Sequence, residues 1–181
     1  MVIDVVHNNK NLWLGIHIDP RFAGHSITEI PFNVAQHSIY VADLVGELLH
    51  ARLKIEIPLE VQLAVNEIHA SGNTTAVLKK AQLHDAHEAY IGDIPSPIKK
   101  IPELRETFKL IERRLDLAIF SYFGLSEMTE QEHVAIKFCD KIAQAIEGYQ
   151  FMPSRGSNWD LPEPTLTMLQ KFPAPEIPLH S

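Results

Sequence analysis

The chain is poor in cysteine: Cys139 is the one thiol among 181 residues. That excludes a disulfide within the chain and suits a reducing compartment. Long apolar runs are also missing, and no stretch approaches the roughly 20 residues a membrane-spanning helix needs. The first ten residues, Met-Val-Ile-Asp-Val-Val-His-Asn-Asn-Lys, do not form a signal-peptide pattern, so the cytoplasm is the expected location. Basic residues are outnumbered, 16 against 23 acidic, for a formal charge of −7. No Lys/Arg run forms a stripe, which argues against sequence-independent binding of duplex nucleic acid. An anionic small molecule can still bind where a metal ion and a few local cations dominate. Internal repeats and low-complexity segments are absent. What is present is a hydrophobic content of 45 %, enough for one packed core in a chain of ordinary domain length. Residues 1–181 are therefore read as a single domain, with its core over about 20–150 and a tail over 151–181.

The punctuation predicts an all-α fold of about five main helices. Asp19-Pro20, Gly24 and Pro31 break up residues 1–32, which read as extended or looped. Asn33 is placed to cap a helix running to about Leu53, with Val34, His37, Tyr40, Val41, Leu44, Val45 and Leu48 on one stripe. Pro58 suits the first turn of a second helix ending near Ser71-Gly72. Asn73 can cap a third, carrying Val77, Leu78, Ala81, His84 and Asp85 and ending near Gly92. A Pro-rich turn over 93–101 leads to a long helix from Pro102 to Gly124. Thr129-x-x-Glu132 has the capping-box pattern for a fifth, ending near Gln150. The proline-punctuated tail holds at most a short helix around 165–171.

The densest chemistry lies at positions 84–93, His-Asp-Ala-His-Glu-Ala-Tyr-Ile-Gly-Asp. A semi-buried cluster of imidazoles and carboxylates needs a cation, because an unpaired buried charge is costly. His37 and Asp140, distant in sequence, complete a set with His84 and Asp85. Two imidazoles and two carboxylates suit a borderline-to-hard divalent metal with positions left for water and substrate. Each member also has a plainer account. His37 alone on an apolar stripe would be a hydrogen-bonded core histidine, and Asp140 could pair with Lys137 or Lys141. Glu88, four residues after His84, could be a surface ion pair or could handle the proton of a metal-activated water. Asp93 after Gly92 is equally a common turn former.

The order His37, His84-Asp85, Asp140 resembles the HD superfamily of metal-dependent phosphohydrolases. Gln36-His37-Ser38, His84-Asp85-Ala86-His87-Glu88-Ala89 and Gly92-Asp93-Ile94-Pro95-Ser96-Pro97-Ile98-Lys99 are similar to the branch holding bacterial 5′-deoxynucleotidases and phage dATP triphosphohydrolases. The resemblance spans roughly residues 20–150. It implies one divalent ion (Mn, Co, Zn or Mg) on His37, His84, Asp85 and Asp140, with Glu88 and Asp93 catalytic. It implies that Lys99 and Lys137 face phosphate and that Arg21 and Phe22 contact the nucleotide at the pocket mouth. The spacing from Arg21 to His37 is one residue longer than in the deoxynucleotidases, and no clear helix precedes Arg21. Trp13, Phe22 and Phe32 can stack on a base, although burial explains them equally well. His87 is not at a ligand position of the family and is expected at the surface; His50, His69 and His133 have no constellation around them.

The expected activity is hydrolysis of deoxynucleoside 5′-monophosphates. The alternatives are a dNTP triphosphohydrolase releasing triphosphate and a non-catalytic nucleotide-binding protein of the same fold. The last should have lost a ligand or the water-positioning carboxylate, and none is missing. A homo-oligomer is expected by the same resemblance, with the tail from Met152 lying across a neighbouring subunit or the pocket rim.

Overall fold

A computed structural model describes residues 20–24, 27, 32–157 and 166–174. Among these the chain is helical, with one isolated antiparallel bridge between Pro20 and Asn33 and no strand. The expected all-α class is the one observed. Most of residues 1–32, Trp13 included, lie outside the described residues.

After a 3-10 turn at Arg21–Gly24, α1 runs over Val34–Leu49. Its start is fixed by reciprocal bonds: the Gln36 N–H donates to the Asn33 side chain at 2.9 Å and the Asn33 N–H to the Gln36 side chain at 3.0 Å. The whole predicted stripe, His37 included, is buried. The helix stops short of Leu53 because Ala51 enters the left-handed region at φ 54°, and the Arg52 N–H closes on the Glu47 carbonyl at 2.8 Å. No glycine announces this stop, so the apolar pattern overran it.

Pro58 caps α2 (Leu59–Ser71), and Gly72 ends it at φ 68°. The third helix departs from expectation. α3 covers only Thr74–Gln82, followed by turns over residues 83–87 and a short α4 (Glu88–Ile91). Through this break the backbone bonds reach three residues back, as in Ala86 N–H to the Leu83 carbonyl at 3.1 Å and Glu88 N–H to Asp85 at 3.0 Å. The His84 ring donates from Nδ1 to the Ala81 carbonyl at 2.8 Å, taking an acceptor that a continuing helix would give to residue 85. His84 and Asp85 thus sit on a tightened turn instead of a regular helix face.

The Pro-rich turn holds a one-turn α5 (Ser96–Lys99), and α6 follows over Pro102–Tyr122. The predicted capping box opens α7 (Glu130–Phe151): Thr129 N–H donates to Glu132 Oε2 at 2.7 Å and Glu132 N–H to Thr129 Oγ1 at 3.2 Å.

α1 packs against α3 and α7, and α2 packs against α7. Val41, Leu44, Val45 and Leu48 of α1 meet Ile68, Val77, Ala81, Ile142 and Ile146 in one core. Each fully buried side chain of this size contributes about 1.5–3 kcal/mol, so this core fixes the spacing of the helices that carry the site. α6 is attached differently. Its buried residues are Leu115, Ile119 and Phe120, and the last two join Leu83 and Ala86 in a smaller cluster. Its first turns are exposed, and residues from Lys109 to Phe120 wall a cleft.

Of the tail from Met152, residues 158–165 and 175–181 lie outside the described residues; over 166–174, which include α8 (Leu166–Lys171), it packs on the chain's own core. Met168, Leu169 and Phe172 supply the apolar side chains that pack there. Tyr40 donates its hydroxyl to the Phe172 carbonyl at 2.5 Å, and the Ala174 N–H donates to Gln150 at 2.8 Å.

Candidate metal centre

α1, the 83–87 turn and α7 bring His37, His84, Asp85 and Asp140 together. Asp85 Oδ2 is 3.3 Å from His84 Nε2 and 3.5 Å from His37 Nε2, and His37 Nε2 is 3.2 Å from Asp140 Oδ1. Atoms bound at about 2.1 Å to one ion stand about 3.0–3.4 Å apart along an octahedral or tetrahedral edge. The observed spacing is close to that range.

The ring tautomers point the same way. A carbonyl or carboxylate can only accept, so His84 Nδ1 carries a proton toward Ala81, and His37 Nδ1 donates to Glu147 Oε1 at 2.7 Å. In the neutral rings that leaves both Nε2 atoms with lone pairs. Both are buried and have no hydrogen-bond partner. A ring steered through Nδ1 while Nε2 is kept free is the usual arrangement of a metal-binding histidine. Orphaned buried ring nitrogens facing carboxylates are the observation that fits a divalent ion here; His37, His84 and Asp85 could hold one, with Asp140 beside His37.

The cluster's electrostatics agree. Burial and the neighbouring Arg21 lower the proton affinity of His37, but Glu147 and Asp140 outweigh them and lift its pKa to about 9. Burial raises Asp85, yet His84, His37 and Arg21 hold it well below the carboxylate range. Burial likewise opposes ionisation of Asp140, and His37 and Lys137 bring it down.

Other expected site residues lie nearby in different company. Glu88 is 3 % exposed, and its Oε2 has no partner. Burial, then Asp85 and Asp93, raise its pKa to about 9, which also places Asp93 within electrostatic reach. Lys99 stands 2.9 Å from Glu112 and 3.9 Å from Glu88. Lys137 donates to Asp140, the ion pair anticipated as the plainer account of that aspartate. Asp140 also accepts from Gln144 at 2.8 Å. Arg21 is buried, with Nη1 3.4 Å from Asp85 and Nη2 3.9 Å from Glu147, so it serves the ligand cluster here. Phe22 follows at φ 58°, its ring 5.6 Å from the Arg21 guanidinium carbon. Phe32 is fully buried against Phe151, at 4.9 Å between centroids, and is not available to stack on a base.

Two corrections and one omission stand out. His87 is not at the surface: it is 6 % exposed and donates from Nδ1 to Asp116 at 2.9 Å. His84 and Glu88 do not share a continuous helix, since the chain turns between them. Glu147 was not anticipated, although it follows Asp140 by two helical turns and so falls on the same face of α7.

The cluster closes one end of a cleft of about 610 Å³ between α6 and the start of α7. His84, Asp85 and Asp140 form that end; Lys99, Glu112 and Asp116 line one wall, and Thr129, His133 and Lys137 the other.

Comparison with known proteins gives a consistent family. YfdR of Escherichia coli K12, an uncharacterized protein, is 28 % identical over 157 residues, covering 87 % of this chain and 64 % of YfdR. The chain thus spans less than two thirds of the length of the curated relative it matches. The 5′-deoxynucleotidase YfbR-like family matches residues 21–177. With most of its length matched, and with His84, Asp85 and Asp140 lining a cleft, the chain belongs to the YfbR-like 5′-deoxynucleotidase family.

Proposed function

We propose that this chain is a metal-dependent nucleotide phosphohydrolase that converts deoxynucleoside 5′-monophosphates to deoxynucleoside and phosphate. The observation that carries the proposal is the pair of buried, partnerless Nε2 atoms of His37 and His84, set against Asp85 at the end of a cleft. His37, His84, Asp85 and Asp140 would hold the ion. When bound, a divalent cation supplies Lewis acidity toward water and phosphoryl oxygen.

The protein's own groups do the rest. Water attacks phosphorus as the bond to the 5′ oxygen breaks. Glu88 is buried, with one oxygen lacking a hydrogen-bond partner. A cation bound beside it would add to the pull of Arg21 and Lys99 toward its ionised form. In that form it takes a proton from that water and returns it to the leaving 5′ oxygen. Asp93 orients Glu88 or the sugar. Lys99 and Lys137 offer charge to the phosphoryl oxygens, where the transition state needs it. Arg21 offsets the carboxylates around the ligands, and Phe22 lies beside it at the nucleotide.

A monophosphate is favoured by the charge on the cleft. Its cations already have partners: Lys99 with Glu112, Lys137 with Asp140, Arg113 with Glu127, and Lys109 with Glu106. Little positive charge is left over for a triphosphate. A triphosphohydrolase is the second reading, because the cleft continues past the ligand cluster to Lys109 and Arg113. The test is purified protein with Mn²⁺, Co²⁺, Mg²⁺ or Zn²⁺ against a panel of dNMPs and dNTPs. Phosphate released from dNMP supports the proposal; triphosphate as the sole product, formed from dNTP at much higher efficiency, supports the second reading.

A further inference from the structure

α7 lays out one wall of the cleft in order along its axis. Counting back from Asp140 at a rise of about 1.5 Å per residue, Lys137 lies about 4.5 Å away, His133 about 10.5 Å and Glu130 about 15 Å. All four line the same cleft. Its volume of about 610 Å³ is within the usual range of small-molecule pockets, roughly 300–1,000 Å³. A nucleotide with its phosphate at the ligand cluster extends along this line, sugar next and base last.

We infer that the outer end of the cleft is a nucleobase subsite, where Leu117 and His133 hold the ring and Glu130 favours 6-aminopurines and 4-aminopyrimidines over their oxo counterparts. The inference rests on the monophosphate reading above.

The lining changes character along the cleft. It is charged beside the cluster. Further out it turns apolar, with Leu117 and Phe120 from α6 and Met128 and Ile136 near the start of α7. Leu117 is 37 % exposed. A lone exposed leucine on an open surface needs no explanation. This one stands in a cleft whose other wall carries the flat imidazole of His133, a surface on which bases stack.

The plain account of Glu130 is a carboxylate at a helix start, where the helix dipole favours it. That account does not explain the charge balance at this end of the cleft. The cations there already have partners, Arg113 with Glu127 at 3.0 Å and Lys109 with Glu106 at 3.1 Å. Glu130 makes no ion pair among the described residues. A carboxylate only accepts hydrogen bonds. It accepts from the amino group of cytosine or adenine, and it repels the oxygen that uracil or hypoxanthine presents at the same ring position.

The test is phosphate release by the Mn²⁺-loaded full chain from two matched pairs, dCMP against dUMP and dAMP against deoxyinosine 5′-monophosphate. 2-Deoxyribose 5-phosphate serves as the substrate that lacks a base. Wild type should favour the amino member of each pair about 10-fold in kcat/KM. Glu130→Gln, whose amide donates as well as accepts, should bring both ratios to about one. His133→Ala and Leu117→Ala should lower kcat/KM on dAMP relative to 2-deoxyribose 5-phosphate by about 5- to 10-fold. A substitution that only loosens the fold lowers both rates and leaves that ratio unchanged. Equal rates within the wild-type pairs, or a preference for the oxo members, overturn the inference. So does a preference that survives Glu130→Gln, or a ratio unmoved by both alanine substitutions. In each of those cases phosphate is still released, and the monophosphate reading stands. No phosphate from any of these substrates contradicts that reading, and the inference falls with it.

Discussion

In the proposed centre, His37 and His84 can turn Nε2 to an ion because other atoms hold their Nδ1 sides. For His37 that atom is on Glu147, buried and reached at 2.7 Å. Glu147→Gln keeps an acceptor but loses the charge, and should weaken the bound ion about 10-fold. Calorimetric titration with Mn²⁺ checks this, and unchanged affinity would detach Glu147 from the site. Glu88→Gln should act on turnover: kcat falls far more than KM changes, since a proton-handling group acts mainly in the transition state. Near-normal turnover would remove Glu88 from the reaction. The two lysines should differ on a monophosphate. Losing a charge-assisted bond costs about 1.5–3 kcal/mol, or roughly 10- to 150-fold in kcat/KM. One of Lys99→Ala and Lys137→Ala should show such a loss and the other little; equal, large losses on dNMP would favour the triphosphate reading.

At the scale of elements, the cleft depends on how α7 is pinned at its start. Lys80 of α3 is buried and donates to Glu132 at 2.6 Å and to Ser126 and the Glu127 carbonyl, both at 3.2 Å. Breaking one side of a buried pair typically costs 3–5 kcal/mol. Lys80→Met should therefore lower stability by about 3–5 kcal/mol in urea unfolding, and adding Glu132→Gln should recover part of it. A loss under about 1 kcal/mol would show that the pair is not buried in solution. Sequence patterns located these elements well where caps or glycines mark them, as at Asn33, Thr129, Gly72 and Gly124. They failed where a side chain did the marking. His84 ends regular helix by taking the Ala81 carbonyl, and no periodicity signals that. That His37, His84, Asp85 and Asp140 would come together was legible because adjacent His84-Asp85 is unusual chemistry on an apolar background. Glu147 behind His37 and Asp116 behind His87 were not, because each depends on which helix packs opposite.

For the whole molecule, the first half of α6 exposes apolar side chains, Leu104 at 39 % and Leu110 at 49 % among them. A symmetric homo-oligomer burying this face is the expected state. Light scattering at micromolar concentration should give a dimer mass or larger, and a monomer mass would refute it. Metal should also stabilise the fold, because an ion that binds only the native chain raises its melting temperature. Metal-stripped protein should melt lower and recover on adding Mn²⁺, whereas Asp85→Ala should not respond. The most direct test of the central claim is inorganic phosphate released from a deoxynucleoside 5′-monophosphate by Mn²⁺-loaded wild type and by Asp85→Ala. Metal-dependent release by the wild type and none by the variant, with helicity preserved, is the predicted result. Release that survives chelation or persists in Asp85→Ala would contradict it.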